Sequence, residues 1–388
     1  MFRTMNQEEI EKRLKGLREK ILERGIEGAL IFSHLNLYYF TGLWIKGFLF
    51  LTKETIKIFV KRPYSQVKEK EGLPIYFFES LKHLPEILKK ASLRRIGLEY
   101  RAFSLGEGEK LMKTLTDFEI FPIDSLIWEL RMIKSPYEIQ CQKRASQLLS
   151  QALREALSQF KEGMREIEAS ALLERALRVR GHPGYTRSFN GFELAFGYLI
   201  SGKEGLFAIP FTTGEGGAGL EGFPGGASFK KIKRGEPILI DYGGFYKGYY
   251  IDQTRMASFG ECKKAEEFFK ASMEILKTLE KKGKPGVPCE ELFFIAEEIA
   301  DKRGFREYFM KHGDKINFIG HGVGLEIDEP PVIVPGNKGE LKENMVLAFE
   351  PKFHVPELGV VGLEDTFVVT NYGLKRLTTF PRKWIHLN

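Results

Sequence analysis

The sequence predicts an α+β protein that consists of a small N-terminal α/β domain and a larger C-terminal domain. The chain has 388 residues, which is more than one ordinary hydrophobic core accommodates. Helix-like and strand-like patterns alternate over the first third of the chain. From Gly181 onward, glycine-rich segments separate β-type runs. These two sequence patterns indicate two domains with different arrangements of helices and strands.

Composition narrows the class of protein. Hydrophobic residues make up 43% of the chain and charged residues 29%, as in globular proteins. No apolar run approaches the roughly 20 residues of a membrane-spanning helix. The N-terminus lacks the apolar stretch of a secretion signal, so we expect a cytoplasmic protein with no membrane partner. The net charge is +7, but lysines alternate with glutamates along predicted helices, so we expect no nucleic-acid partner.

The N-terminal domain begins with an amphipathic helix. Ile10, Leu14, Leu17 and Ile21 recur at helical spacing, and Gly25 follows where a helix C-cap belongs. A second helix is predicted at Leu81–Ala91. Strand-like runs are predicted at Gly28–Phe32, Phe48–Leu51, Ile56–Val60 and Arg95–Glu99.

A helix start marks the boundary between the domains. The hydroxyl of Ser135 can accept the amide proton of Glu138, and the Glu138 carboxylate can accept the amide proton of Ser135. Pro136 suits the first helical position, where its missing amide would be unpaired in any residue. We therefore predict one domain at residues 1–128 and a second at residues 136–388.

The C-terminal domain is predicted to combine helices with two β regions. Its helices are expected at about 136–160, 165–180, 264–281 and 289–303. One β-hairpin is expected to pair Pro237–Tyr242 with Tyr249–Ser258. The second β region covers Met345–Phe353 and Gly362–Thr370.

Five possible metal ligands fall in or beside these β regions. The carboxylates interrupt apolar runs, and both β regions have the same arrangement. In each, one acid lies at the end of a strand and a second acid lies on the partner strand. Burying such charges is costly unless a cation neutralises them. Oxygen-rich ligation with one imidazole suits Mn²⁺, Co²⁺ or Zn²⁺, and this set suffices for two ions. The five residues are Asp241, Asp252, His321, Glu350 and Glu364.

Around these residues the chain resembles the aminopeptidase P, prolidase and methionine aminopeptidase family. The resemblance extends to the Arg131–Ile139 linker and the Asn36–Gly42 segment, so it covers nearly the whole chain. It implies a creatinase-type N-terminal domain before a pita-bread domain, in which two pseudo-twofold αβ halves surround a metal site. The matching motifs are Asp241-Tyr242-Gly243, Asp252-Gln253-Thr254-Arg255, Gly320–Leu325, Glu350-Pro351 and Glu364-Asp365-Thr366.

The resemblance also implies roles for these residues. Asp241 would bind one ion, His321 and Glu350 the other, and Asp252 and Glu364 would bridge them. Glu350 would accept the proton of the attacking water. The implied protein is a homodimeric Xaa-Pro peptidase that acts on short peptides with two divalent ions, of which Mn²⁺ is the first choice.

Three positions depart from the family pattern. No histidine lies between Ala195 and Tyr242, Asp328 stands where a second histidine is expected, and Gly362 stands where an arginine is often found. These changes remove positive charge from the pocket. Asp328 adds a negative charge and is itself a candidate catalytic residue, whereas His182, His354 and Lys352 are candidates for a compensating role. For His182, His354 and Lys352, an ordinary core or surface position is the simpler interpretation.

Two other functions remain open at this point. The metals could serve amide, amidine or lyase chemistry on a small metabolite, and Asp328 would suit a cationic substrate group. Alternatively, the chain could be a non-catalytic binding protein, although the intact set of five ligands counts against it. The glycine-rich run Gly214–Leu220 lacks the ending of a phosphate-binding loop and is predicted to be an active-site loop.

Overall fold

Two compact units make up the computed structural model. It describes residues 5–70, 72–189, 191, 193–210, 214–312 and 314–388. The units are Met1–Arg131 and Met132–Asn388. Within the described ranges, no helix has the length and apolar character that crossing a bilayer requires.

The N-terminal unit is built on one mixed six-stranded sheet in the order β4-β3-β2-β1-β5-β6. Strand β1 pairs antiparallel with β2 and parallel with β5. The strands are β1 (Gly28–Ile31), β2 (Lys46–Thr52), β3 (Ile56–Arg62), β4 (Ile75–Phe77), β5 (Arg95–Leu98) and β6 (Glu119–Pro122). The helices are α1 (Gln7–Glu23), α2 (His34–Thr41), α3 (Tyr64–Val67), α4 (Leu84–Lys90), α5 (Leu105–Met112) and α6 (Asp124–Met132).

The patterns predicted for this unit are largely confirmed. The apolar face of α1 is buried, and Gly25 has a φ of +67°, as expected just beyond a helix end. The helix predicted from Leu81 is divided into a 3₁₀ turn, Leu81–His83, followed by α4. Pro85 lies in the first turn of α4, and its missing amide prevents one continuous α-helix from starting at Leu81.

The C-terminal unit contains four long helices. The predicted start at Ser135 is confirmed: its hydroxyl accepts the Glu138 amide at 3.3 Å, and the Glu138 carboxylate accepts the Ser135 amide at 2.9 Å. The helices are α7 (Pro136–Leu157), α8 (Glu166–Arg178), α9 (Lys263–Lys282) and α10 (Cys289–Lys302).

Over the residues of this unit that the structure describes, two larger sheets and four two-stranded ribbons accompany the helices. The larger sheets have the orders β23-β13-β10-β9 and β17-β16-β18-β21-β22, and the ribbons are β7-β8, β11-β12, β14-β15 and β19-β20. The strands are β7 (Thr186–Arg187), β8 (Glu193–Leu194), β9 (Gly197–Ser201), β10 (Ile238–Tyr242), β11 (Gly244–Tyr246), β12 (Tyr249–Ile251), β13 (Thr254–Phe259), β14 (Lys311–His312), β15 (Asp314–Lys315), β16 (Gly320–Gly322), β17 (Glu329–Val332), β18 (Val346–Phe349), β19 (Lys352–Val355), β20 (Gly359–Gly362), β21 (Asp365–Thr370), β22 (Gly373–Arg376) and β23 (Ile385–Leu387).

Successive side chains of the central strands enter different hydrophobic clusters. Ile238 and Ile240 of β10 pack in the cluster that contains α7 and α8. Leu239, between them, packs in the cluster that contains α9 and α10. Strand β18 behaves likewise, with Ala348 in the first cluster and Leu347 in the second. The strands are thus buried on both faces, and a polar side chain on them needs a partner.

The hairpin predicted to pair Pro237–Tyr242 with Tyr249–Ser258 is confirmed. Strand β10 pairs with β13, with Asp241 opposite Thr254. Strands β11 and β12 continue this hairpin in the same register, and the Tyr242 amide donates to the Gln253 carbonyl at 3.2 Å between the two stretches. The two turn residues, Lys247 and Gly248, have φ values of +47° and +92°. Positive φ at both positions is the type I′ geometry that closes the tightest hairpins, so the turn is shorter than the predicted segment 243–248.

A fully buried ion pair connects the two larger sheets. Arg255 of β13 donates to the Asp365 carboxylate of β21 at 2.7 Å and to the Glu364 carbonyl at 2.7 Å. Both side chains of the pair are 0% exposed. Burial opposes ionisation of Asp365, but Arg255 and Arg382 outweigh it and hold the pKa of this carboxyl below its usual value.

We expect Arg255→Met to lower the free energy of unfolding by about 3–5 kcal/mol, because it leaves a buried carboxylate without a main partner. Urea denaturation measures this loss. Lys302→Met is the matched control, since it removes an exposed pair with Glu298 and should change stability by at most about 1 kcal/mol. Equal stability of the two variants would contradict the prediction.

Candidate metal centre

The C-terminal unit contains an acidic cavity of about 260 Å³. Six carboxylate side chains and one imidazole line it, together with apolar and aromatic side chains. The acidic residues and the histidine are Glu215, Asp241, Asp252, Asp328, Glu350, Glu364 and His321. The apolar and aromatic lining includes Leu194, Phe196, Tyr198, Phe318, Ile327 and Val332.

The first half of the cavity wall comes from β10 and β13. Asp241 lies near the end of β10, opposite Thr254 at the start of β13. The Thr254 hydroxyl is 2.5 Å from Asp241 Oδ2 and 2.8 Å from Glu364 Oε2. One hydroxyl therefore joins acids that come from the two different β regions.

Asp252 and Glu364 lie immediately before strands β13 and β21, and not on them as the sequence analysis expected. The backbone amide of each residue donates a hydrogen bond to the opposite β region and not to a neighbouring strand of its own sheet. The Asp252 amide donates to the Thr366 hydroxyl at 3.0 Å, and the Glu364 amide donates to the Thr254 carbonyl at 3.3 Å. This reciprocal pairing brings both carboxylates to the centre of the cavity.

His321 faces these acids from strand β16. Its Nε2 atom is 3.6 Å from Glu350 Oε1 and 3.9 Å from both Asp252 Oδ2 and Glu364 Oε1. Its Nδ1 atom is 3.1 Å from the carbonyl oxygen of Gly322, which can only accept a hydrogen bond. Nδ1 therefore donates to this carbonyl, and Nε2 is the ring atom that faces the carboxylates.

Asp252, His321 and Glu364 have the arrangement of a metal site. One ligand atom from each lies within 4.8 Å of the others. Within the described part of the chain, Glu364 Oε1 is buried and accepts no hydrogen bond. Burial and neighbouring carboxylates raise the pKa values of Asp252 and Glu364 well above their usual range. A divalent cation would satisfy the orphan oxygen and relieve the repulsion.

Lys352 is a buried cation beside the same acids. Its Nζ atom is 2.9 Å from Asp241 Oδ2 and 2.8 Å from Glu350 Oε2, and it also contacts the Glu215 carboxylate. Burial disfavours the charged lysine, but the carboxylates of Asp241, Glu215 and Glu350 raise its pKa well above the usual value. The structure thus brings Lys352 to the centre, as one of the proposed compensating residues.

Glu215 was missed as a site residue by the sequence analysis. It lies in the glycine-rich run after Gly214 and is 5% exposed. Burial raises the pKa of Glu215 to about 8, although Lys352 opposes the shift. The only available signal was a single acid within a run of glycines, and such an acid is usually a solvated loop residue.

The other candidate residues are held by local structure. Asp328 lines the cavity, and its carboxylate accepts from the Ser188 hydroxyl at 2.7 Å and the Phe189 amide at 2.5 Å. His354 accepts from the Lys311 amide at 3.2 Å through Nδ1, and its Nε2 donates to the Gly214 carbonyl at 3.0 Å. Both ring nitrogens of His354 therefore hold backbone groups.

His182 stacks on Phe196 with ring centroids 4.5 Å apart, and its Nδ1 accepts the Gly184 amide at 3.1 Å. Burial, together with the charges of Arg178 and Arg187, lowers the pKa of His182 to about 3. The imidazole is therefore neutral at pH 7. Neither His182 nor His354 is among the described residues that line the cavity.

The fold and the cavity together define a metal-dependent hydrolase. Converging carboxylates with one imidazole provide the donors that hold a divalent ion, and the adjoining cavity provides room for a substrate. The sequence model of metallopeptidase family M24 matches residues 140–371, and that of the creatinase/prolidase N-terminal domain matches residues 13–133. The chain belongs to metallopeptidase family M24. The predicted pita-bread fold, creatinase-type N-terminal domain and hydrolase class are confirmed.

Relatives match over almost their full length. The Xaa-Pro dipeptidase of Pyrococcus furiosus is 33% identical over 96% of this chain and 99% of its own. The crystal structure of the X-Pro aminopeptidase from Thermotoga maritima has a TM-score of 0.82 and 26% identity, and covers 97% of this chain and 100% of its own. The prolidase structure from Pyrococcus horikoshii has a TM-score of 0.80 and 28% identity, and covers 96% and 99%.

We expect a divalent ion to stabilise the protein through Glu364. At an ion concentration 100 times the Kd, binding should add about 2.7 kcal/mol to the free energy of unfolding. Loss of a residue that only hydrogen-bonds to a metal ligand weakens metal binding roughly 10–100-fold. Glu364→Gln should weaken it by more, since it removes a charged group that would contact the ion itself. Thermal unfolding with Mn²⁺ and with EDTA measures the difference.

Glu166→Gln is the matched control for this experiment. Glu166 is equally buried, but it is bonded to Ser201 and Ser228 and is not among the cavity residues. Its variant should be less stable than the wild type and yet retain the full stabilisation by Mn²⁺. An undiminished Mn²⁺ effect in Glu364→Gln would show that the ion binds elsewhere.

Proposed function

We propose that this protein is a metal-dependent Xaa-Pro peptidase that hydrolyses the peptide bond before proline in short peptides. The observation that carries this proposal is the convergence of the five predicted donors on one cavity. Two relatives that match this chain over almost its full length also support the proposal. One is named an Xaa-Pro dipeptidase and the other an X-Pro aminopeptidase.

The proposed roles follow from the positions of the side chains. Asp252, His321 and Glu364 would hold a divalent ion, for which Mn²⁺ is our first choice, with Co²⁺ or Zn²⁺ as alternatives. When bound, such an ion polarises the scissile carbonyl and lowers the pKa of water. Glu350, whose Oε1 faces His321, is placed to accept a proton beside that ion. The family resemblance implies two ions, with Asp241 at the second.

The rest of the cavity suits a short peptide that contains proline. Phe196, Phe318 and Val332 offer apolar contact for a pyrrolidine ring. Acidic side chains offer partners for a free α-amino group. No lysine or arginine is among the described residues that line the cavity, so a peptide carboxylate would find no cation there. We therefore favour substrates that extend beyond proline over Xaa-Pro dipeptides.

The same observation supports a second function. An acidic lining without a carboxylate-binding cation also suits a small amide or amidine that carries positive charge. Asp328 belongs to that lining, where the family pattern has a histidine. By the family resemblance we expect the protein to act as a cytoplasmic homodimer in either case.

We expect Mn²⁺- or Co²⁺-dependent hydrolysis of Xaa-Pro-Yaa tripeptides, with Xaa-Pro dipeptides cleaved more slowly. Glu364→Gln should lower kcat/KM at least about 100-fold, because it removes charge where transition-state charge develops. Glu166→Gln serves as the control and should retain activity. Binding of metal without cleavage of any peptide above the Glu364→Gln background would refute the peptidase proposal and direct the assay to cationic amides.

A further inference from the structure

Lys352 occupies a position between acids that the family resemblance assigns to metal ions. Its side chain is 0% exposed, and its ammonium group contacts Glu215, Asp241 and Glu350. An ammonium group has three protons, so each proton has one carboxylate partner. The Lys352 ammonium therefore takes the place of a bound cation among these three carboxylates.

Two glycines provide the space that this side chain needs. Gly362 of β20 pairs with Lys352 of β19, and a Cβ atom at Gly362 would lie 2.5 Å from Lys352 Cγ. A Cβ atom at Gly214 would lie 2.9 Å from Lys352 Nζ and 2.3 Å from Glu350 Oε2. A side chain at either position would force the Lys352 side chain to move. The two glycines therefore leave room for the lysine in its present position.

The ammonium group uses oxygens that a second ion would require. Asp241 Oδ2 is already contacted by both the Thr254 hydroxyl at 2.5 Å and Lys352 Nζ at 2.9 Å. These two groups occupy the space around that oxygen, so in this arrangement Asp241 does not chelate an ion through both oxygens. Glu350 Oε2 is also engaged by Lys352, at 2.8 Å.

The oxygens that remain lie on the side of the cavity that carries His321. Glu350 Oε1 is 3.6 Å from His321 Nε2, and Glu364 Oε1 accepts no hydrogen bond from the described residues. Asp252, His321 and Glu364 surround one position there, and Glu350 Oε1 lies next to the imidazole. The centre thus has two sides. On one side the carboxylate oxygens contact the Lys352 ammonium, and on the other side they remain available to a metal ion.

We propose, on the basis of the metal-dependent function above, that this centre holds a single divalent ion and that Lys352 replaces the second. The ion is held by Asp252, His321 and Glu364, and Glu350 Oε1 lies beside it. Glu215 offsets the added charge of the ammonium. A second ion is excluded because Lys352 already occupies Asp241 Oδ2 and Glu350 Oε2, and because the ammonium would repel a nearby cation.

Metal stoichiometry tests this directly. Wild-type protein is saturated with Mn²⁺, freed of loose ions and analysed by elemental mass spectrometry. One equivalent per chain is expected, with the electron paramagnetic resonance spectrum of isolated Mn²⁺. The double variant Glu215→Gln/Lys352→Met removes the ammonium and its added acid, and should take up two equivalents with the spectrum of an exchange-coupled pair.

Lys134→Met is the matched control, because Lys134 is also buried and paired, but with Glu329 outside the donor set. It should keep one equivalent. Two equivalents in wild-type protein overturn the inference and leave the peptidase proposal standing, whereas no bound ion overturns both. One equivalent in a folded double variant also overturns it, because Lys352 would then not set the number. If the double variant does not fold, the wild-type stoichiometry and spectrum decide.

Discussion

Repulsion between buried carboxylates is the constraint that organises the C-terminal unit. Asp241, Asp252, Glu350 and Glu364 approach one another between two sheets whose strands are buried on both faces. Unpaired charges in such a place are unfavourable by several kcal/mol each, on the order of the desolvation penalty of an ion. Every neighbouring polar feature reduces that penalty: a shared threonine hydroxyl, an ammonium group, and a set of donors suited to a divalent ion.

The same constraint explains why the two halves of the unit are joined so firmly. Asp252 and Glu364 precede their strands by two positions and one position, respectively, and each uses its amide to reach the opposite half. Directly behind them, Arg255 and Asp365 form a buried pair between β13 and β21. Cations on this outer side hold the ends of the strands together, so the acids on the inner side stay close despite their repulsion.

The sequence was sufficient to predict the long helices, the two-part architecture and the five side chains that line one cavity, because these depend on local periodicity and on acids that interrupt apolar runs. It was insufficient where tertiary packing decides. The hairpin after Pro237 turns at Lys247–Gly248 and not over the whole of 243–248, because β11 and β12 continue the pairing of β10 with β13. Glu215 and Lys352 carry no periodic signal, and only the folded chain reveals that they meet.

The close approach of Gly362 to Lys352 also has an evolutionary consequence. A Cβ atom at position 362 would lie 2.5 Å from Lys352 Cγ and 3.0 Å from both Lys352 Cα and the Pro351 carbonyl oxygen. A descendant that gains a side chain at position 362 must therefore move the backbone of β19 as well as the side chain opposite. Because that movement would displace the ammonium group from its carboxylates, a change at position 362 should be accompanied by changes at position 352 among homologous chains.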